Sequence, residues 1–348
     1  MSADLLAQLG WDTTREEQLD NSGVQPGRVI RTDRSLHVVT TAAGDVRAEV
    51  APALLKAVMD RTALPTVGDW VGVRHTDERD LIDVVLPRTS AFLRRAAGPE
   101  TLAHVLAANI DTVFVVVPLN RTPNLTRIER FLTLAWESGA TPVLLLTKSD
   151  LCDDLDAVLD QAATVAPGVE VHAVSAHSGD GVETVRGLVR PGQTVVLLGQ
   201  SGAGKSTLAN ALGGEELMAT QEIRSDGRGR HTTTHRELMV LPGGGVLIDT
   251  PGLRTLLLWN ADEGLDRAFS DIDELAAQCQ FRDCQHGGEP GCAVGAAIAS
   301  GALPQRRLDS HHKLLAELDF LARKQDKRLA SEARKKWKAI AKNNRAPR

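Results

Sequence analysis

Gly199-Gln200-Ser201-Gly202-Ala203-Gly204-Lys205-Ser206, continued by Thr207, fits the spacing GxxxxGK[ST]. Glycines at that spacing let successive backbone N–H groups turn toward phosphate oxygens, and a helix starting at the lysine adds positive potential. Lys205 would bridge the outer phosphates and the Ser206 hydroxyl would ligate Mg2+. The competing reading is a glycine-rich turn that matches by chance. The apolar run Val195 to Leu198 before the loop and the helical pattern from Lys205 weigh against it, since both are required context.

A phosphate loop does not select a base. Thr147-Lys148-Ser149-Asp150 ends another apolar run and has the form [NT]KxD. A carboxylate there accepts hydrogen bonds from the guanine N1–H and exocyclic amine while the lysine stem covers the ring; adenine presents an acceptor at N1, so Asp150 disfavours it. Ser175-Ala176 closes the next run and is placed to offer backbone N–H groups to the guanine O6. Each short motif is common alone, and their positions at two strand ends give the pair its weight. Asp249-Thr250-Pro251-Gly252 fits DxxG: Asp249 would hold Mg2+ through water, and the Gly252 N–H would meet the terminal phosphate.

Between these phosphate elements lies a polar, glycine-rich connector, RSDGRGRHTTTH, from Arg224 to His235. One of its threonines is expected to complete the Mg2+ shell, Thr233 in preference to Thr232. In Ras-like enzymes a glutamine directly after DxxG orients the attacking water. Leu253 stands there and can neither donate nor accept. His231 is the best replacement, because a neutral imidazole accepts a proton near pH 7; His177 and His235 are weaker alternatives. The expected catalytic set is therefore His231, Lys205 and Thr233.

Cys279, Cys284, His286 and Cys292 follow the spacing Cys-x4-Cys-x-His-x5-Cys. Three thiolates and an imidazole make a closed tetrahedral shell suited to one structural zinc ion, with no position open for catalysis. A reduced, metal-free cluster is the alternative. The fourth cysteine, Cys152, is expected to pack in or near the helix after Asp150.

The elements that must position these groups fall into zones. After a polar leader (residues 1–25), residues 26–100 show short apolar runs separated by turn signals: PGRVIRTD, LHVVTTAAGD, VGDWVGV and LIDVVLP. Strands so spaced, with no long helix after each, predict a small β-barrel of the OB kind, a frequent oligonucleotide-binding surface. Residues 101–258 alternate uninterrupted apolar runs with helical segments, which predicts an α/β domain with a mostly parallel sheet covered by helices. Residues 259–348 show no strand signal and read as helices around the Cys/His cluster, with a basic C-terminal tail.

The chain has 348 residues, 42% hydrophobic and 24% charged, which excludes a single small module and wholesale disorder. No run approaches the ~18 apolar residues of a membrane span, and the first twenty residues lack a signal-peptide pattern, so a cytoplasmic protein is expected. Net charge is −5, yet residues 323–348 carry eleven Lys or Arg against two acids. A basic tail on an acidic body suits a polyanion such as RNA, and a solvated basic helix is the bland alternative. With aromatics at 3% and no tyrosine, RNA contact would rest on charge more than on stacking.

The base readers at 147 and 175 precede the phosphate loop at 199, the switch threonine near 233 and DxxG at 249, the reverse of the usual order. A site assembled from strand ends survives such a cut at a surface loop. In this order, and in LGWD (9–12), VGDWV (67–71), LPRTS (86–90), GRHTTTHREL (229–238) and DTPG, the chain resembles the circularly permuted GTPases, and within them the RsgA (YjeQ) family of small-subunit-dependent GTPases. The resemblance implies GTP hydrolysis on a P-loop α/β domain with Mg2+, and it points to His231 as the water-positioning group and to zinc at the Cys/His cluster. It further implies late assembly of the small ribosomal subunit, docking through barrel, zinc region and tail onto the subunit and its rRNA, with release on hydrolysis, by a monomer without membrane attachment. Two rivals stay open: a P-loop ATPase or kinase, and a non-catalytic RNA-binding protein that senses GDP or GTP.

Overall fold

The computed structural model describes residues 2–19, 23–33, 36–58, 60–95, 103–224, 237–249 and 261–323. The chain divides into two compact units, Met1–Leu257 and Leu258–Arg348.

The leader is helical where the sequence suggested only polarity. Helices α1 (Ser2–Gln8) and α2 (Thr13–Gln18), with the residues that follow them, bury Leu6, Leu9 and Leu19. Asp12 caps α2 by accepting the Arg15 N–H at 2.9 Å, which satisfies a backbone donor that the helix start leaves open.

The barrel comprises β1 (Gln25–Asp33), β2 (Leu36–Thr41), β3 (Gly44–Val50), then α3 (Pro52–Ala57), β4 (Trp70–His75) and β5 (Asp80–Val85). Strands run in the order β1-β2-β3-β5-β4, and β4 returns to pair with β1, so the sheet closes. Only β3 and β5 pair in parallel. Alternation along these strands turns Val29, Val39, Ala48, Val71, Val73 and Ile82 into one core, each larger side chain contributing about 1.5–3 kcal/mol of burial. In β1 the register with β2 slips between Val29 and Arg31, a bulge at Ile30 that bends the strand.

A separate hairpin, β6 (Ala91–Arg95) with β7 (Ala103–Ala108), follows the barrel. The hydropathy pattern does not announce it, because its first strand has no apolar run beyond Ala91 to Leu93.

Next come β8 (Thr112–Pro118), α4 (Leu125–Glu137), β9 (Thr141–Thr147), α5 (Leu155–Ala163), β10 (Glu170–Val174), α6 (Val182–Gly187), β11 (Thr194–Leu198), α7 (Lys205–Arg224), β12 (Glu237–Val240) and β13 (Val246–Asp249). Their order across the sheet is β10-β9-β8-β11-β13-β12; every pair is parallel except β12 with β13. Apolar residues fill both faces of the central strands: Phe114, Val116, Leu145, Val195 and Leu247 pack with Leu208 and Leu212 of α7, and the alternate residues Val113, Val115, Leu144 and Leu146 are fully buried as well. Beyond β12 the ladder continues into β1 through Arg31 opposite Glu237, so barrel and α/β sheet form one hydrogen-bonded sheet of eleven strands. Nothing in the hydropathy pattern announces that junction.

In the second unit, α8 (Asp262–Ala268), α9 (Ser270–Ala276), α10 (Ala293–Ala299) and α11 (305–323) pack around Arg307. That guanidinium is fully buried over the Phe269 ring at 4.2 Å and grips both oxygens of Asp271 at 2.9 and 2.7 Å. Among the described residues no helix is long and apolar enough to cross a membrane.

Candidate guanine-nucleotide site and metal centre

The phosphate loop leaves β11 at Leu198 and enters α7 at Lys205. Gly199 has no room for a side chain, since a Cβ would lie 2.4 Å from the Val116 carbonyl oxygen. Ala203 is fully buried in the core, whereas Ser201, Gly202, Ser206 and Thr207 are exposed. Lys205 folds over its own loop, its Nζ donating to the Gly199 and Gln200 carbonyls at 2.7 Å each. Those acceptors hold the ammonium where a phosphate would compete for it.

The base-reading segment lies directly against this loop. The Thr147 hydroxyl donates to the Ala203 carbonyl at 2.6 Å, and Lys148 Nζ to the Gly202 carbonyl at 3.1 Å. Lys148 adopts a left-handed backbone (φ 60°), an uncommon conformation for a residue with a side chain and one that turns the chain sharply at the end of β9. Asp150 is exposed, and one of its carboxylate oxygens accepts the Ser175 hydroxyl at 2.5 Å. Ser175 is itself fully buried, its oxygen accepting the His177 and Ser178 N–H groups at 3.3 and 3.1 Å. Ala176 follows it at the end of β10. The serine therefore braces the carboxylate, whereas the sequence suggested only backbone donors at this position. The parallel register that puts Val174 beside Thr147 is what brings the two loops together.

Asp249 is exposed at the end of β13, paired across the ladder with Glu237. Thr147, Lys148, Asp150, Ser175, Ala176, the loop 199–207 and Asp249 thus sit at the C-terminal ends of parallel strands, where α/β sheets bind ligands. Gly252, Leu253, His231, Thr232, Thr233 and His235 lie outside the described residues, as does the tail beyond 323. His177 is exposed next to Ser175. One contact the sequence did not suggest is Arg127 of α4 donating through Nη1 to the Gln200 side chain. The long separation of the two residues gave no signal for it.

In the second unit the ligand atoms of Cys279, Cys284, His286 and Cys292 all lie within 4.8 Å of one another. Cys279 follows α9, Cys292 caps α10, and the loop between them carries Cys284 and His286, the latter left-handed at φ 59°. His286 Nδ1 is 3.8 Å from the Cys279 sulfur and 3.6 Å from that of Cys292. Burial works against a Cys279 thiolate, but the backbone N–H groups of Val294 and Ala293, together with the Cys284 and Cys292 thiols, hold this thiol below its usual range. At Cys284 the His286 N–H favours the thiolate, yet burial and the two neighbouring sulfurs push it up to about 11. Three thiols this close cannot all ionise without a cation among them, so the donor set fits a metal ion. Cys152 is part-buried just after Leu151, away from the cluster in sequence.

A P-loop on a parallel sheet, with its base readers ahead of it in the chain and its DxxG strand alongside, defines a circularly permuted GTPase. The model of the RsgA GTPase family matches residues 85–259. A small ribosomal subunit biogenesis GTPase of Streptomyces avermitilis is 48% identical over 344 residues, 97% of this chain and 92% of that protein. One from Oceanobacillus iheyensis is 43% identical, covering 90% of this chain and 91% of its own length. The crystal structure of YjeQ from Thermotoga maritima superposes with a TM-score of 0.64 at 27% identity, over 84% of this chain and 98% of that one. YloQ, described as a circularly permuted GTPase, gives 0.63 at 25% identity, over 86% and 98%. The chain belongs to the RsgA GTPase family.

Proposed function

We propose that this protein is a GTP hydrolase that assists late assembly of the small ribosomal subunit: the GTP-bound form docks on the subunit and its rRNA, and hydrolysis to GDP and phosphate releases it. The observation that carries the GTP reading is the contact between the two loops, Thr147 to Ala203 and Lys148 to Gly202. A base reader braced against a phosphate loop fits a nucleotide lying across both, and Asp150, held by Ser175, supplies the guanine preference. The names of the relatives support the subunit as partner.

In this reading the loop Gly199 to Thr207 cradles the phosphates, and Lys205 leaves its carbonyls for their oxygens. Ser206, Thr233 and Asp249 hold Mg2+, which supplies charge neutralisation at the phosphates when bound. The Gly252 N–H meets the terminal phosphate, and His231 orients the attacking water in place of the glutamine absent at Leu253. Cys279, Cys284, His286 and Cys292 hold one structural zinc ion. The barrel spans residues 26–100, the GTPase domain 101–258 and the zinc-binding domain with its tail 259–348. The protein acts as a cytoplasmic monomer.

Phosphate release measured with and without purified small subunits tests the function. Stimulation by subunits is expected. Tight GDP and GTP binding with no phosphate release under either condition would leave a nucleotide-sensing RNA-binding protein, the reading that Leu253 favours.

A further inference from the structure

The resemblance motifs LGWD, VGDWV and LPRTS take no part in the nucleotide site, yet they converge on one buried arginine or its immediate neighbours. Arg28, in β1 of the barrel, is 1% exposed. Its Nη1 donates to the Leu9 carbonyl in the leader and its Nε to the Gly68 carbonyl at 3.3 Å. Its Nη2 donates to the Asn109 carbonyl at 3.3 Å and to the Thr194 hydroxyl at 2.6 Å. The guanidinium stacks 5.0 Å from the Trp70 ring. Thr194 is the first residue of β11, the strand that delivers the phosphate loop. Asn109 reinforces the joint, its Nδ2 donating to Gly68 at 3.1 Å and its Oδ1 accepting the Thr89 N–H at 3.1 Å. Gly68 admits this close approach because it lacks a Cβ, which would fall 2.1 Å from the Ala108 carbonyl oxygen. Burial and the nearby Arg15 bring the Arg28 guanidinium down to about 9, against the opposing pull of the Asp111 and Asp69 carboxylates.

Three residues along the same strand, past the bulge at Ile30, Arg31 stays paired with Val38 of β2 and, on the edge that β4 occupies up to Arg28, pairs with Glu237 of β12. Glu237 lies two residues past the connector that holds His231 and Thr233, and its other neighbour across the ladder is Asp249. A single strand is therefore fastened at one point to the base of the phosphate-loop strand and at another to the strand that follows the switch connector. Hydrogen-bonded strands move together, and a bulge re-aims a strand toward a second partner.

We propose that β1 is a shared strand through which a partner bound to the barrel acts on β12, the strand that begins at Glu237, with Arg28 as the positioning residue that fixes β1 against Asn109 and Thr194 so that load on the barrel reaches Glu237 rather than dissipating at the joint. The coupling to hydrolysis rests on the function proposed above; the strand linkage stands on the hydrogen bonds alone.

The test uses the full-length chain with Arg28→Lys, which keeps the charge but cannot make four such bonds, and with Asn109→Gly. Asn109 has φ 54°, so glycine keeps its backbone while removing the side-chain ties. In both variants nucleotide affinity, unstimulated turnover and subunit affinity are expected to stay within about twofold of the parent. Amide exchange at residues 237–240 should accelerate at least tenfold in the absence of subunits while β8 and β9 keep their protection. At saturating subunits kcat should fall at least tenfold, with the KM for subunits nearly unchanged. Asn109→Gly decides the matter if Arg28→Lys does not fold. Unchanged exchange at 237–240 overturns the shared strand, and unchanged stimulated kcat overturns its role in coupling. A parent protein that subunits do not stimulate would instead sink the proposed function, leaving the exchange result to judge the linkage separately.

Discussion

Asp150 owes its place to two neighbours of different kinds: the left-handed Lys148 turns the chain, and the buried Ser175 hydroxyl fixes the carboxylate. Asp150→Asn exchanges a charge-assisted acceptor for an amide that would face the guanine N1–H with a donor or a single neutral oxygen. Hydrogen bonds to charged groups are worth about 1.5–3 kcal/mol, so the preference for GTP over ATP in competition binding should drop by roughly tenfold to a hundredfold. His231→Ala is expected to leave GTP affinity nearly intact and to lower subunit-stimulated phosphate release by at least about tenfold, the usual loss for a positioned acid–base group. An unchanged stimulated rate would remove His231 from the chemistry. At this scale the sequence was eloquent wherever a motif is contiguous, because GxxxxGKS and TKSD carry their own local geometry. It was silent on Ser175 as a brace and on Arg127 beside Gln200, since those contacts exist only once separate strands are in register.

Among the elements, the loop from Cys279 to Cys292 has little core of its own, so the zinc ion proposed for it would be its main support. Phe281 is exposed, and of the four ligands only Cys292 is buried, so little apolar surface stabilises the segment. Stripping metal with a strong chelator should speed amide exchange across residues 279–299 at least tenfold, and metal analysis should find about one zinc per chain beforehand. Retained protection after complete zinc loss would deny the ion a structural part. The strands of the α/β sheet were legible from their uninterrupted apolar runs, and those of the barrel from short runs cut by turn residues. The hairpin of β6 and β7 and the helical leader were not, because the first has little hydrophobic patterning and the second buries only isolated leucines such as Leu6 and Leu9. The bulge at Ile30 was equally hidden: register slips leave no compositional trace.

For the molecule as a whole, charge is divided unevenly along the chain, with eleven of its forty basic residues in the last 26. If that segment neutralises rRNA phosphates, removing residues 323–348 should flatten the salt dependence of subunit binding, by close to one unit of slope for each lost phosphate contact. A slope identical to that of the intact chain would show the tail to be merely solvated. Permutation also shapes the molecule at this scale, since the chain enters the α/β domain at its base-reading half and leaves it just after the DxxG strand.

The continuity of β12 with β1 means that the catalytic half of this protein cannot be cut cleanly from the rest. A fragment of residues 101–258 would lose the Arg31 pairing that covers β12 at Glu237, leaving the whole of that strand as an open sheet margin, with Val240 already 43% exposed in the intact chain. Unprotected margins of that kind recruit further copies of themselves, so light scattering on such a fragment should report oligomers or precipitate where the intact chain stays dispersed.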